Sequence, residues 1–363
     1  MKIINIVGAR PNFIKIAPII RQMRRSSIIE SILLHTGQHY DLEMSKWFFE
    51  ELKIPAPDIS LEVGSDTHAK QVARIMERFD DVCDEQKPDG ILVVGDVNST
   101  MACSLVAAKK GIKIIHVEAG IRSFDREMPE EINRMVTDAL ADLLLPPSRD
   151  AVDNLLKEGH AANKIHLVGN IMIDTLMDFQ PQIRQSKILE QLGIEDQKYV
   201  LVTLHRPSNV DNISDFKRIL AALAKIQKRL PIVFPVHPRT RKILDDPDLK
   251  SVTGNMPHLI LCDPLGYFDF GRLVAGCRMV ITDSGGIQEE STVYGIPCIT
   301  IRENTERPIT IWEGTNELAG TDTAKIIHFA EQIMDGKWKS GKIPELWDGH
   351  TAERIISCIE RTM

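Results

Sequence analysis

Short apolar runs alternate with amphipathic stretches along the whole chain. Strand-length runs fall at residues 2–7, 28–35, 90–95, 112–117, 142–145 and 165–168. A second series falls at 199–204, 232–236, 259–262, 279–282 and 297–301. Between them lie helical patterns at 13–24, 68–86, 99–110, 214–228 and 286–293, with a last one at 352–361. In the third of these, Cys103, Val106 and Ala107 share one face, as a period of about 3.6 residues requires. Strands that alternate with helices imply βαβ units and parallel sheets. The first series ends near Gly169–Asn170, and a polar stretch at 178–196 reads as linker plus helix. The pattern therefore predicts an α/β chain of two doubly wound domains, 1–170 and 171–344, with a final helix within 345–363 free to pack on either. Facing each other across a cleft, two such domains would bring the carboxyl ends of both sheets to one ligand.

A length of 363 residues suits two domains with a core each. Hydrophobic content of 43% and charged content of 26% are ordinary for a globular protein and exclude disorder or a fibre. The net charge of -7, with no basic run, argues against a nucleic-acid partner. It also means that an anionic ligand must be held by local positive groups. The cysteines 83, 103, 262, 277, 298 and 358 form no CxxC pair, so neither a zinc knuckle nor a redox motif is indicated. The N-terminal run at residues 3–7 is too short for a signal peptide, and no stretch approaches the ~20 apolar residues of a membrane span. A cytoplasmic protein with no membrane partner is expected.

Open α/β sheets bind ligands at the loops after their strands, so candidate chemistry is sought there. After the first strand, Gly8-Ala9-Arg10-Pro11-Asn12-Phe13-Ile14-Lys15 is not GxGxxG, and no P-loop motif occurs in the chain. Arg10 and Lys15 still place cations at a helix start, against the dipole, where a bound anion would relieve them. Gly95-Asp96-Val97-Asn98-Ser99 offers more capping residues than one helix needs. His116-Val117-Glu118 ends another strand, and alternation would place His116 and Glu118 on one face. The HxE pattern lacks the PCxxC of zinc deaminases, so no metal follows from it. Glu118 at a parallel strand end is a costly place for an unpartnered charge. Pro129-Glu130-Glu131 opens a helix in ordinary fashion. What lifts Glu130 above that reading is its company, Asp96 and Glu118.

In the second half, His205 follows a strand. Ser284-Gly285-Gly286 opens a helix with free N–H groups that suit a diphosphate. Glu290, a turn and a half later, could accept both ribose hydroxyls. His237 and Arg307 add positive groups after strands. His35 and His39 have i,i+4 spacing but follow a strand and lack the HExxH frame, so no metal is proposed. The residues themselves point to acid–base chemistry on a nucleotide-linked substrate.

These blocks resemble the non-hydrolysing UDP-N-acetylglucosamine 2-epimerase family. GARPNFIKIAP, HTGQHYD, GDVNST, HVEAGIRS, MPEEINR, GNIMIDT, HRPSNVDN, VFPVHPRT and TDSGGIQEESTVYGIPCITIRENTERP match in order over essentially the whole length. The resemblance implies a glycosyltransferase B type fold of two Rossmann-like domains, a homodimer, and a final helix that returns to the N-terminal domain. It implies Asp96, Glu118, Glu130 and His205 as catalytic groups. It implies substrate and UDP contacts at Arg10, Lys15, His237, Ser284, Gly285, Gly286 and Glu290, with uracil contacts near Phe270 and Arg307. Phe270 rests on the resemblance alone. No cofactor and no metal is implied. The implied reaction is elimination of UDP to 2-acetamidoglucal and re-addition, with the base and the opposite-face acid left open between Glu118 and Asp96. Asn12 departs from the family's common acid, and the stretch after His205 departs as well. A hydrolysing epimerase, an epimerase of a UDP-diacetamido-uronic acid, an acceptor-dependent UDP-sugar glycosyltransferase and a non-catalytic sensor are the competing readings.

Overall fold

The computed structural model describes residues 1–37 and 54–363, and of Arg10 and Pro11 the backbone alone. Gln38 and His39 lie outside the described residues. The chain forms two compact units, Met1–Met177 with Glu345–Met363, and Asp178–Pro344.

The first unit is built on six parallel strands, β1 (Lys2–Val7), β2 (Glu30–His35), β3 (Ile59–Ser60), β4 (Gly90–Val94), β5 (Lys113–Val117) and β6 (Leu143–Leu145), in the order β3-β2-β1-β4-β5-β6. Its longer helices are α1 (Arg10–Met23), α2 (His68–Gln86), α3 (Asn98–Lys110), α4 (Pro129–Leu140) and α5 (Arg149–Lys157). β4 is buried at every residue, as a strand covered on both faces must be. α1 packs against the final helix, while α2, α3 and α4 pack in succession.

The second unit repeats the plan. Its parallel strands β7 (Val200–Thr203), β8 (Ile232–Pro235), β9 (Leu259–Cys262), β10 (Met279–Thr282), β11 (Cys298–Thr300) and β12 (Asn316–Leu318) run in the order β12-β11-β10-β7-β8-β9. Its longer helices are α6 (Ile213–Ile226), α7 (Tyr267–Gly276), α8 (Gly285–Tyr294) and α9 (Thr323–Met334). One core gathers Phe216, Leu220, Phe234 and Ile281, and another gathers Tyr199, Leu201, Val274 and Val280. Both units are Rossmann-like α/β folds.

The strand orders fix where ligands belong. In the first sheet the chain moves outward from β1 to β3, then restarts at β4 on the other side. In the second it restarts at β10 beside β7. Each restart is a topological switch point, where adjacent loops diverge and leave a crevice at the carboxyl ends of the strands. The loops there begin at Gly8 and Gly95 in one sheet, and at Leu204 and Asp283 in the other.

Three expectations need correction. Residues 165–168 form no strand: Ile165 makes one isolated bridge to Leu144, and the chain turns away through Gly169 at φ +93°. β3 and β12 were not anticipated, because two or three residues carry too little periodicity to read. The unit boundary lies at Met177, seven residues past the expected join of 170. The helix Ile171–Asp178 is tied to the first unit: Thr175 Oγ1 donates to the Ile14 carbonyl, and Asp174 accepts the N–H groups of Thr351 and Ala352. Those bonds cap α10 (Thr351–Thr362), which packs on α1.

Candidate active site

At the first switch point the backbone brings α1 and the ends of β4 and β5 together. Lys15, on the second turn of α1, reaches Glu118, with Nζ 2.5 Å from Oε2. Both side chains are buried, and Glu118 Oε1 has no hydrogen-bond partner among the described residues. A buried carboxylate oxygen left without a donor is costly in a resting fold and is a mark of function. Glu118 also stands at φ +69°, a region that a residue with a Cβ seldom enters. Its N–H is held by the Leu145 carbonyl, so the strained residue is fixed rather than floppy.

That dihedral overturns one expectation. β5 ends at Val117, and alternation ends with it. His116 turns to Asp138 on α4, whereas Glu118 turns to Lys15 on α1, so the two do not share a face. Gly95, at φ +71°, lies directly beside the Lys15–Glu118 pair. A Cβ there would sit 3.2 Å from Lys15 Nζ and 3.4 Å from Glu118 Oε2.

Asn12 explains its own departure from the family pattern. Its Oδ1 accepts from the N–H groups of Gly8 (3.3 Å) and Ala9 (3.0 Å), and its Nδ2 donates to the Val94 carbonyl at 2.8 Å. An acid could make the first bonds but not the last. Here the amide ties the turn after β1 to the turn that carries Asp96.

Asp96, partly exposed, pairs with Arg134, Nη1 lying 2.5 Å from Oδ2. The buried Arg134 also pairs with Glu131 at 2.7 Å. Glu131 spends its other bonds on Ser123 and Phe124. Glu130, in the first turn of α4, is exposed and makes no ion pair among the described residues. The structure thus brings Lys15, Asp96 and Glu118 to one switch point and adds Arg134, which the sequence reading passed over. Its signal was the i,i+3 spacing from Glu131, which places an arginine over an acid on one helix face. The Arg10 side chain lies outside the described residues.

The second switch point is organised by Asp283, another residue the sequence reading did not single out. It is fully buried at the end of β10. Burial raises its pKa. The ring of His205 and the N–H groups of Arg206 and His205 outweigh that and hold it below the usual carboxylate range. His205 Nδ1 lies 3.0 Å from Asp283 Oδ1 with the ring 45% exposed, so the carboxylate orients the ring and leaves Nε2 for a ligand. The His237 ring centre is 6.1 Å away, and its Nδ1 accepts the Arg239 N–H at 3.2 Å.

Ser284 caps α8, and the N–H groups of Gly285, Gly286 and Ile287 fall in its first turn, where no intrahelical acceptor exists. Cations and acids surround that turn. Arg307 pairs with Glu289 at 2.5 Å and Arg302 with Glu306 at 2.6 Å. Burial works against ionising Glu306, but Arg307, Arg302 and Arg206 pull it down to about 2. Glu290 is the opposite case. It is buried with no cation partner among the described residues, and burial, with Glu289 beside it, pushes its pKa up to about 8. Phe270, half-buried on α7, packs against the core of this unit.

The chain as a whole matches one family over nearly its full length. The model of UDP-N-acetylglucosamine 2-epimerase matches residues 21–360. The chain belongs to the UDP-N-acetylglucosamine 2-epimerase family. Among epimerases of this kind, a UDP-N-acetylglucosamine 2-epimerase of Methanococcus maripaludis is 39% identical over 98% of this chain and 97% of its own. A UDP-2,3-diacetamido-2,3-dideoxy-D-glucuronate 2-epimerase of Pseudomonas aeruginosa is 40% identical over 95% of this chain and 99% of its own. The crystal structure of the Methanocaldococcus jannaschii UDP-GlcNAc 2-epimerase, in complex with UDP-GlcNAc and UDP, superposes with a TM-score of 0.90 at 38% identity, covering 99% of this chain and all (100%) of that one.

Proposed function

We propose that this chain interconverts UDP-N-acetylglucosamine and UDP-N-acetylmannosamine. The observation that carries the reading is the full-length likeness to an epimerase crystallised with UDP-GlcNAc and UDP. Identity does not separate the two sugars, at 40% to the diacetamido-uronate epimerase and 39% and 40% to two UDP-N-acetylglucosamine enzymes, so the substrate reading follows the UDP-GlcNAc-bound relative.

The chemistry must remove a C2 proton that is not acidic. In the proposed route a base takes that proton while the C1–O bond to UDP breaks and UDP leaves with the bonding electrons. The product pair is 2-acetamidoglucal and UDP. UDP then re-adds at C1 as a proton arrives at the opposite face of C2. Glu118 is the favoured base, because its Oε1 is buried with no partner among the described residues while Asp96 is held by Arg134. Asp96 then serves the opposite face, with Glu130 and the Asp283-oriented His205 positioning or protonating. Lys15 holds Oε2 of Glu118 and so aims Oε1. The first turn of α8, with His237, takes the diphosphate, and the family resemblance assigns Arg10 to UDP as well. Glu290 takes the ribose, and Phe270 and Arg307 lie on the uracil side. The family resemblance supports a homodimer acting in the cytoplasm, and no described helix is long and apolar enough to cross a membrane.

The test is acceptor-free: pure protein with UDP-N-acetylglucosamine, products resolved by anion-exchange chromatography. A second UDP-sugar peak that reverts to starting material establishes epimerisation. Stoichiometric UDP and free sugar would mean hydrolysis instead. Turnover of the diacetamido-uronate alone would move the substrate assignment.

A further inference from the structure

Three segments carry the candidate carboxylates of the first unit: the turn after β4, the loop after β5, and α4. One fully buried residue touches the first and the last. The His116 ring sets Nδ1 2.6 Å from Asp138 Oδ1 on α4, and Nε2 3.0 Å from the Gly95 carbonyl oxygen. Asp138 is itself fully buried and accepts the Gly120 N–H at 3.0 Å and Arg122 Nη2 at 2.7 Å. Arg122 continues outward to Glu158 at 2.8 and 2.6 Å. The formal charges along this line alternate, so a cationic ring would complete a neutral row that runs from the core to the surface rather than stand alone.

Hydrogen-bond accounting decides the state of the ring. A carbonyl oxygen only accepts, and so does a carboxylate. Asp138 Oδ2 accepts from both the Gly120 N–H and the Arg122 guanidinium, which favour the carboxylate independently of the ring. A neutral imidazole has one N–H and would press a lone pair against either the carboxylate or the Gly95 oxygen. Both contacts are met only by a ring with two N–H groups.

We infer that His116 is a positioning residue held as a doubly protonated ring, whose two N–H bonds lock the Gly95–Asp96 turn and the Gly120–Arg122 segment, through Asp138, to the helix that carries Glu130. The charged groups tied to it are Asp138 on α4, Arg122 after β5 and, through Arg122, Glu158 after α5; among the described residues, Asp138 is the one ionisable group bonded to the ring. The kinetic arm of the test rests on the proposed epimerase reaction, and the spectroscopic arm does not.

The spectroscopic arm is a long-range ¹H–¹⁵N correlation of the histidine-labelled full-length protein at pH 7, with the His116 signals assigned by their loss in His116→Gln. The expected pattern has both ring nitrogens protonated and one N–H far downfield. A single protonated nitrogen overturns the inference. Asp138→Asn, which keeps the shape but removes the charge, should return the ring to one N–H. If that variant does not fold, the wild-type pattern decides alone. In the kinetic arm, His116→Asn and His116→Gln each keep one of the two bonds. Both should lower kcat at least ~10-fold through misplaced carboxylates, with UDP affinity within about twofold of wild type. Unchanged kcat in either variant overturns the positioning role. Should the wild type fail to turn over UDP-N-acetylglucosamine at all, the epimerase reading falls, and the ring pattern still decides this one.

Discussion

At the scale of single residues, the site is a contrast between satisfied and unsatisfied acids. Glu131 and Asp283 have every reason to stay where they are, tied by several donors each. Glu118 and Glu290 do not: among the described residues, one keeps a buried oxygen without a donor and the other is buried without a cation. Glu118→Gln should lower kcat by ~10²-fold or more, the usual contribution of a general base, while UDP affinity measured by calorimetry stays near wild type. Equal losses in both would mean that Glu118 only supports the fold. Glu290 gives a pH signature. Its folded pKa of about 8 keeps it neutral at pH 7, and the carboxylate, which can accept two ribose hydroxyls, becomes the main form only above that value. UDP should therefore bind more tightly as pH rises from 7 through 8, and Glu290→Gln should flatten the dependence. Affinity that falls over this range in the wild type would contradict the ribose assignment.

At the scale of elements, what could be read from the sequence was what repeats. Apolar runs such as 90–94 and 279–282 declared themselves as buried strands because every position is apolar or small. Runs that depend on context did not. Residues 165–168 look like a strand, yet Gly169 at φ +93° takes the chain away after one bridge. The loops after strands were legible as candidate territory: Lys15 and Glu118 meet there, and Asp96 sits in the adjoining turn. Three features were not legible. A positive φ at Glu118 has no sequence mark, since nothing but glycine advertises it. Arg134 and Asp283 look like ordinary charges until the fold buries them. Asn12 looked like a lost acid, and only its bond to the Val94 carbonyl shows why an amide is needed. Asn12→Asp would place a carboxylate oxygen against that carbonyl. It should cost roughly 1–3 kcal/mol in denaturant unfolding, the penalty of a lost buried bond. Gly120 sets a similar constraint at φ +78°, where a Cβ would lie 2.2 Å from the Ala151 carbonyl oxygen. Gly120→Ala should lower the thermal midpoint by several degrees, and an unchanged melt would show that α5 can give way.

At the scale of the whole molecule, the chain leaves its first unit at Met177 and comes back to it at Glu345. The returning segment is not decoration. Trp347 is buried with its Nε1 on the Pro147 carbonyl, Asp174 caps α10, and Ile355 and Ile359 are fully buried. Truncation after Pro344 would expose the face of α1 that α10 covers. The shortened protein should be insoluble or melt far below the full chain; a soluble truncation with an unchanged midpoint would mean that α10 contributes little.

On this protein, C2 of a UDP-linked N-acetylamino sugar should lose and regain a proton. Proton NMR of UDP-N-acetylglucosamine with the pure protein in D₂O, without any acceptor, tests it most directly. UDP-N-acetylmannosamine with deuterium at C2 is expected, and in time deuterium at C2 of the starting sugar as well. Product formed with its C2 proton retained, or no exchange at all in a folded protein that binds UDP, would contradict it.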